Sequence, residues 1–258
     1  MAQLHIQYPS NSLSMQVKVT LLYPDTALYD GTIEELPVLY LLHGMGGNEE
    51  TWLRNTSLER YLKKTNLLVV MPDTHDGWYS DTAYGYSYFE AIAKELPQVL
   101  GHVFPKMSRK REQTFIAGLS MGGYGAMKIA LNTNAFSYAA SLSGALDFQD
   151  MEPLIDDFRG ERYWKGLFGE HLFETDHPAH LANWLDKADR KTKLFIWCGE
   201  EDFLYPANQR ASQLLQQSGF NVSIEFSPGK HEWYYWDQKI QDVLKWLPID
   251  YVEEERLS

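Results

Sequence analysis

Short apolar runs recur along the chain, and most of them lead into a stretch with helical spacing. They read "PVLYLLHG", "NLLVVMPD", "QTFIAGLS", "YAASLSGAL", "KLFIWCGE" and "VSIEFSPG". A strand that is apolar at nearly every position, instead of every second one, is buried on both faces. Amphipathic helices between such strands supply that cover, so the pattern predicts an α/β fold with a mostly parallel central sheet and helices on both faces. The expected helices lie around 50–64, 86–103, 121–132, 207–218 and 231–246. Ahead of them "LSMQVKVTLLY", residues 13–23, alternates as a strand and is expected to pair antiparallel with residues 4–8.

One segment breaks the rhythm. Between about Asp147 and Asp186 the chain is rich in aromatic and acidic residues ("DDFRGERYWKGLFGEHLFETDHPAHLANW") and follows a strand. It is read as a small cap inserted over the carboxyl edge of the sheet, where open α/β sheets bind ligands. No repeat, low-complexity tract or linker interrupts the remainder, so residues 1–258 are expected to form one domain around one sheet.

Composition excludes several classes of function. The formal net charge is −12 and no Lys/Arg block is present, which argues against nucleic-acid binding. The longest apolar runs, "VLYLL" and "LLVVM", are far too short to span a bilayer. "MAQLHIQYPSNSLS" has neither a basic start nor an apolar core, so a cytoplasmic address is expected. The single cysteine, Cys198, cannot form an internal disulfide and sits in an apolar run, as a buried strand residue would.

The third apolar run ends in "GLSMG", residues 118–122, which matches G-x-S-x-G. In that pattern the serine occupies a strained strand-to-helix turn, and small flanking residues avoid clashes. A tight turn would use the same glycines, so Ser120 needs partners. A serine hydroxyl requires a general base. Of the eight histidines, His231 alone follows the last strand, in "SPGKHEWYYW", where the nucleophile-acid-base chain order places the base. An exposed histidine at a helix start is the structural alternative.

The acid is expected in the loop after the penultimate strand. "FIWCGEEDFLYPAN" offers Glu200, Glu201 and Asp202, of which Asp202 lies beside apolar Phe203 and Leu204. An acid there fixes the histidine tautomer and steadies the imidazolium. Capping the helix near Pro206 is the alternative role for Asp202, and Asp147 is the alternative acid. "LYLLHGMGGN", residues 39–48, then supplies an HG-type oxyanion loop directly after a strand. Its donors would be the backbone amides of Met45 and Met121, the latter following Ser120.

Together, "LLHGMGGNEETW", "VVMPDTHDGWYSDT", "GLSMGGYGAMKIAL", "CGEEDFLY" and "GKHEWYYWD" resemble the esterase D-like α/β-hydrolases, bacterial tributyrin esterases in particular. The resemblance spans nearly the whole chain. It implies an α/β-hydrolase fold, a Ser120–Asp202–His231 triad with Met45 and Met121 as amide donors, and hydrolysis of short-chain acyl or acetyl esters without a cofactor. It also places Trp78 and Tyr79 near the site, as walls of an acyl or alcohol pocket or as core. Feruloyl and cinnamoyl esterases and S-formylglutathione hydrolases are related branches. The latter carry a cysteine just after the oxyanion loop, where this chain has "HGMGGN".

An acyltransferase or thioesterase on the same fold, or a non-catalytic binding module, are the competing readings. The partner expected is a small-molecule ester, with homo-oligomerisation left open. No metal is expected: H-E-x-x-H is absent, "HPAH" (His177, His180) lacks further ligands, and Asp156 and Asp157 read as solvated surface.

Overall fold

Along the strand Val38–Leu42 (β3), successive side chains enter opposite cores. Val38, Tyr40 and Leu42 join one apolar cluster while Leu39 and Leu41 join another, and all are buried. This two-sided burial is the physical counterpart of the uninterrupted apolar run. The structure, a computed structural model, describes residues 1–149 and 159–253.

The remaining strands are Ala2–Ser10 (β1), Met15–Tyr23 (β2), Leu68–Pro72 (β4), Thr114–Leu119 (β5), Tyr138–Leu142 (β6), Lys193–Gly199 (β7) and Val222–Ser227 (β8). They form one eight-stranded sheet in the order β1-β2-β4-β3-β5-β6-β7-β8. β1 and β2 pair antiparallel, as the alternating N-terminal segment implied, and β2 pairs antiparallel with β4. From β4 to β8 every pairing is parallel.

The helices are Asp25–Tyr29 (α1), Thr51–Asn55 (α2), Leu58–Tyr61 (α3), Tyr88–Glu90 (α4), Leu96–Val103 (α5), Met121–Asn132 (α6), Glu161–Phe168 (α7), Tyr205–Gln217 (α8) and Trp233–Trp246 (α9). Two differ from the periodicity. The stretch around 50–64 divides into α2 and α3 because Thr56 is extended, its hydroxyl bonds the Trp52 carbonyl, and the Ser57 amide donates to Asp237 on α9. The stretch around 86–103 passes through a π turn, Ala91–Glu95, before α5. Pro97 has no N–H to give at the start of α5, and a widened ladder absorbs the missing bond.

The described part of the 147–186 segment carries α7 and a 3₁₀ turn, Leu181–Lys187. An aromatic cluster fixes it against α6. Trp78 meets Trp164 at 5.1 Å and Phe148 at 5.7 Å between ring centroids, and Tyr124 meets Trp184 at 5.4 Å. The Tyr124 hydroxyl also donates to the Ala179 carbonyl at 3.1 Å. Asp156 and Asp157 lie outside the described residues. Among the described residues no helix is long and apolar enough to cross a membrane.

Candidate active site

Ser120 stands between β5 and α6 with φ 53° and ψ −120°, a backbone region that disfavours a residue bearing a Cβ. The surroundings over-determine it. Its amide donates to the Leu142 carbonyl at 2.9 Å, and its carbonyl accepts from Tyr124 at 3.1 Å and Ala145 at 3.3 Å. Two glycines make the turn geometrically possible. A Cβ on Gly118 would stand 2.3 Å from the Gly122 carbonyl oxygen, and one on Gly122 would stand 2.4 Å from that of Leu42. The glycine pattern is therefore a packing requirement: α6 starts pressed against the ends of β3 and β5.

The structure brings Ser120, His231 and Asp202 into one hydrogen-bonded chain. His231 Nε2 lies 3.0 Å from Ser120 Oγ, and Nδ1 lies 2.9 Å from Asp202 Oδ2. An ionised carboxylate only accepts, so Nδ1–H donates to Asp202 and Nε2 is left to accept the serine proton. The Asp202 carboxylate is fully buried while His231 keeps 21% of its side-chain exposure. Burying a carboxylate requires partners. Besides His231, Asp202 takes the Leu204 amide at 2.9 Å, so Asp202 also organises the entry to α8. The His231 ring is held between Phe203, at 4.7 Å, and Trp236, edge-on at 4.8 Å.

The other candidate acids lie apart from this chain. Asp147 pairs with Arg210 at 2.5 Å, and Glu200 and Glu201 are exposed. His177 and His180 in the cap place Nε2 3.0 Å from the Phe168 carbonyl and 2.6 Å from that of Leu172. Cys198 is buried in β7, where burial pushes its thiol pKa up.

Met121 opens α6, where the first amides have no carbonyl of their own helix to bond. Met45 sits in the turn after β3 and lines the cavity beside Ser120. That turn is closely braced. His43 Nδ1 bonds the Gly44 carbonyl at 2.7 Å, and its Nε2 accepts from the Thr74 amide at 3.2 Å.

The cavity beside Ser120 holds about 30 Å³ and is lined by Met45, Trp78, Ala145, Trp164, Phe203 and Leu204. Trp78 is therefore a wall of it. Tyr79 does not line it: it is wholly buried, and its hydroxyl donates to the His43 carbonyl at 3.0 Å, behind the turn after β3. An aromatic pair adjacent in sequence divides its roles because each residue faces a different side of the loop. Both have positive φ, near 50°.

One residue escaped the sequence reading. Asp76 Oδ1 accepts the Gly46 amide at 2.6 Å, next to Met45, while Oδ2 pairs with Arg159 at the edge of the cap. The Asp76 carbonyl accepts from the Tyr163 hydroxyl at 2.7 Å, and that oxygen accepts from Trp78 Nε1 at 3.1 Å. Asp76 thus ties the turn after β3 to Arg159, to α7 and to the pocket wall at Trp78. It stands in the quoted stretch "DTHDGWYSDT", yet nothing in its spacing distinguishes it from a solvated loop acid.

Comparison with known proteins adds three findings. A family described as "Putative esterase" matches residues 10–247. An acetyl esterase of Caldicellulosiruptor saccharolyticus is 32% identical over 224 residues, covering 83% of this chain and 84% of that protein. Among solved structures, the substrate-bound fluorophosphonate-binding serine hydrolase F of Staphylococcus aureus superposes with a TM-score of 0.86 at 33% identity, covering 95% of this chain and 98% of that one. The S-formylglutathione hydrolase of the same organism gives 0.82, with the same identity and coverage.

Proposed function

Because the chain belongs to this esterase family, has the α/β-hydrolase fold and is a serine carboxylic ester hydrolase, we propose that Ser120, His231 and Asp202 carry its chemistry on acetyl and other short-chain esters. The observation that carries the proposal is the continuous chain Ser120 Oγ–His231–Asp202, with the base at 3.0 Å and its orienting acid at 2.9 Å. Ser120 attacks the ester carbonyl as His231 Nε2 takes its proton. The carbonyl oxygen becomes an oxyanion facing the amides of Met45 and Met121. One such donor is worth about 2.7–4 kcal/mol to the transition state. His231 then protonates the departing alcohol, and water repeats the sequence on the acyl-enzyme. Asp202 steadies the imidazolium throughout without taking its proton.

The small cavity supports the acyl-chain assignment. One water occupies at least about 10–15 Å³ on this measure. About 30 Å³ beside Ser120 therefore suits an acetyl group far better than a long acyl chain. Trp78 and Trp164, both buried, form rigid parts of its wall. Turnover of p-nitrophenyl esters from acetate to octanoate tests this, with the acetate or propionate ester expected to show the highest kcat/KM. A maximum at octanoate would refute the short-chain assignment. A fluorophosphonate should label Ser120 and no label should form on Ser120→Ala. The formylglutathione-hydrolase neighbour gives a thioester substrate, with a thiol as leaving group, a specific basis, and comparing S-acetyl with O-acetyl substrates of equal size separates the two. We also place the chain in the cytoplasm, supported by its lone buried cysteine.

A further inference from the structure

On the far side of the aromatic cluster from Ser120 lies a cleft of about 560 Å³, walled by Phe89, Phe168 and Trp184. It shares no lining residue with the ester pocket. Its size falls within the usual range for small-molecule sites, roughly 300–1,000 Å³. Lys128, on α6, reaches into it. The ammonium donates to Ser80 Oγ at 2.6 Å and packs against the rings of Tyr124, at 5.5 Å, and Phe89, at 6.0 Å.

This cation has no carboxylate within 4.0 Å among the described residues. Asp81 also lines the cleft and its field reaches Lys128, but it is exposed and its carboxylate accepts the Glu90 amide at 3.2 Å, outside ion-pair distance of the ammonium. Burial holds the Lys128 pKa down to about 8, and the field of Asp81 offsets this only in part. Lys187 adds a second cation at the rim, in a chain whose formal net charge is −12. His177 contributes no charge-pairing site, since its Nε2 faces the Phe168 carbonyl and its Nδ1 accepts from the Ala179 amide.

We propose that the cleft over Lys128 is a second binding site, separate from the ester pocket, for a small aromatic carboxylate. The carboxylate would take the ammonium protons that Ser80 leaves unused, and the ring would lie among Phe89, Phe168 and Trp184. A phosphate fits less well, because its second charge would face Asp81 across the cleft, while the aromatic rings beside Lys128 offer it no further donors. A neutral aromatic would leave the buried charge unpaired, which is the costly arrangement.

The test is ¹⁹F NMR titration of the full chain with 4-fluorobenzoate. Native protein should bind it, and Lys128→Arg should retain affinity within about threefold because the charge remains. Lys128→Met should bind at least about tenfold more weakly, as loss of a charge-assisted hydrogen bond implies. Lys128→Gln replaces it if the methionine chain does not fold. 4-Fluorobenzyl alcohol should bind native protein at least about tenfold more weakly than the carboxylate. Absence of 4-fluorobenzoate binding, equal binding by Lys128→Met, or equal binding of the alcohol would each overturn the site.

Discussion

Replacing Asp76 by alanine should slow ester turnover without greatly weakening substrate binding. Asp76 touches no reacting atom. Its carboxylate accepts the Gly46 amide at 2.6 Å, one residue beyond the oxyanion donor proposed at Met45, and also pairs with Arg159. A hydrogen bond to a charged group contributes about 1.5–3 kcal/mol when sheltered. This one is partly open to solvent, with 20% of the Asp76 side chain exposed, and the Arg159 partner is half exposed, so about 1.5 kcal/mol is a reasonable figure after screening. If that energy holds the loop in its donating geometry, losing it lowers the competent fraction by about tenfold. The ceiling is complete loss of the Met45 donor, about 10²–10³ in kcat.

Steady-state kinetics on p-nitrophenyl acetate therefore should show kcat down by about ten- to a hundredfold, with KM within about threefold. Asp76→Asn keeps an acceptor oxygen for Gly46 and should lose less than the alanine variant. Arg159→Gln keeps the Gly46 contact and should lose least, since a half-exposed ion pair is worth about 0–1 kcal/mol. If Asp76→Ala left kcat within twofold, or raised KM alone, Met45 would not depend on this clamp and the reasoning would fail.

Ser120→Ala should abolish p-nitrophenyl acetate turnover with an unchanged thermal transition; residual native-level turnover would remove Ser120 as nucleophile. Trp164→Ala should enlarge the cavity beside Ser120 and raise the ratio of hexanoate to acetate kcat/KM, checked on the same ester series. Gly122→Ala should destabilise by about 3 kcal/mol or more in urea melts, because its Cβ would meet backbone oxygen 2.4 Å away, which no rotamer change relieves. Lys128 also sets a pH signature. Its folded pKa, about 8, lies below the ordinary 10.5, so above pH 8 the unfolded chain binds more protons and stability rises with pH. Between pH 7 and 9.5 this contributes about 2 kcal/mol, and Lys128→Met should lack that gain when urea melts are compared at the two pH values.

The parts of this protein legible in its sequence are those fixed by local geometry or chain order. β3 announced itself because burial on both faces leaves no polar position in "VLYLL". Ser120 could be proposed because the elbow requires small neighbours, and His231 because it alone follows β8 among the histidines. The break between α2 and α3 was not legible, since it depends on Asp237, 180 residues away, capturing the Ser57 amide. The choice between pocket wall and core for Trp78 and Tyr79 was not legible for a related reason. Trp78 and Tyr79 look equivalent as adjacent aromatics, and the positive φ of both that sends one into the cavity and the other behind His43 leaves no trace in composition.

Asp76 is the instructive omission. A sequence reveals a catalytic acid by its place after a strand, since the sheet delivers strand ends to one edge. A loop acid that braces another loop has no such address. Its partners, Gly46, Arg159 and Tyr163, come from three separate segments, and only the folded arrangement joins them. The same holds for the cleft over Lys128, whose ammonium lies beyond ion-pair distance of any described carboxylate only because of what surrounds it. Residues at strand ends occupy fixed points of the fold and can therefore be nominated from motif and chain order, as Ser120 and His231 were. Residues that hold those points in place are spread over whichever loops the packing brings near, and they emerge only from distances.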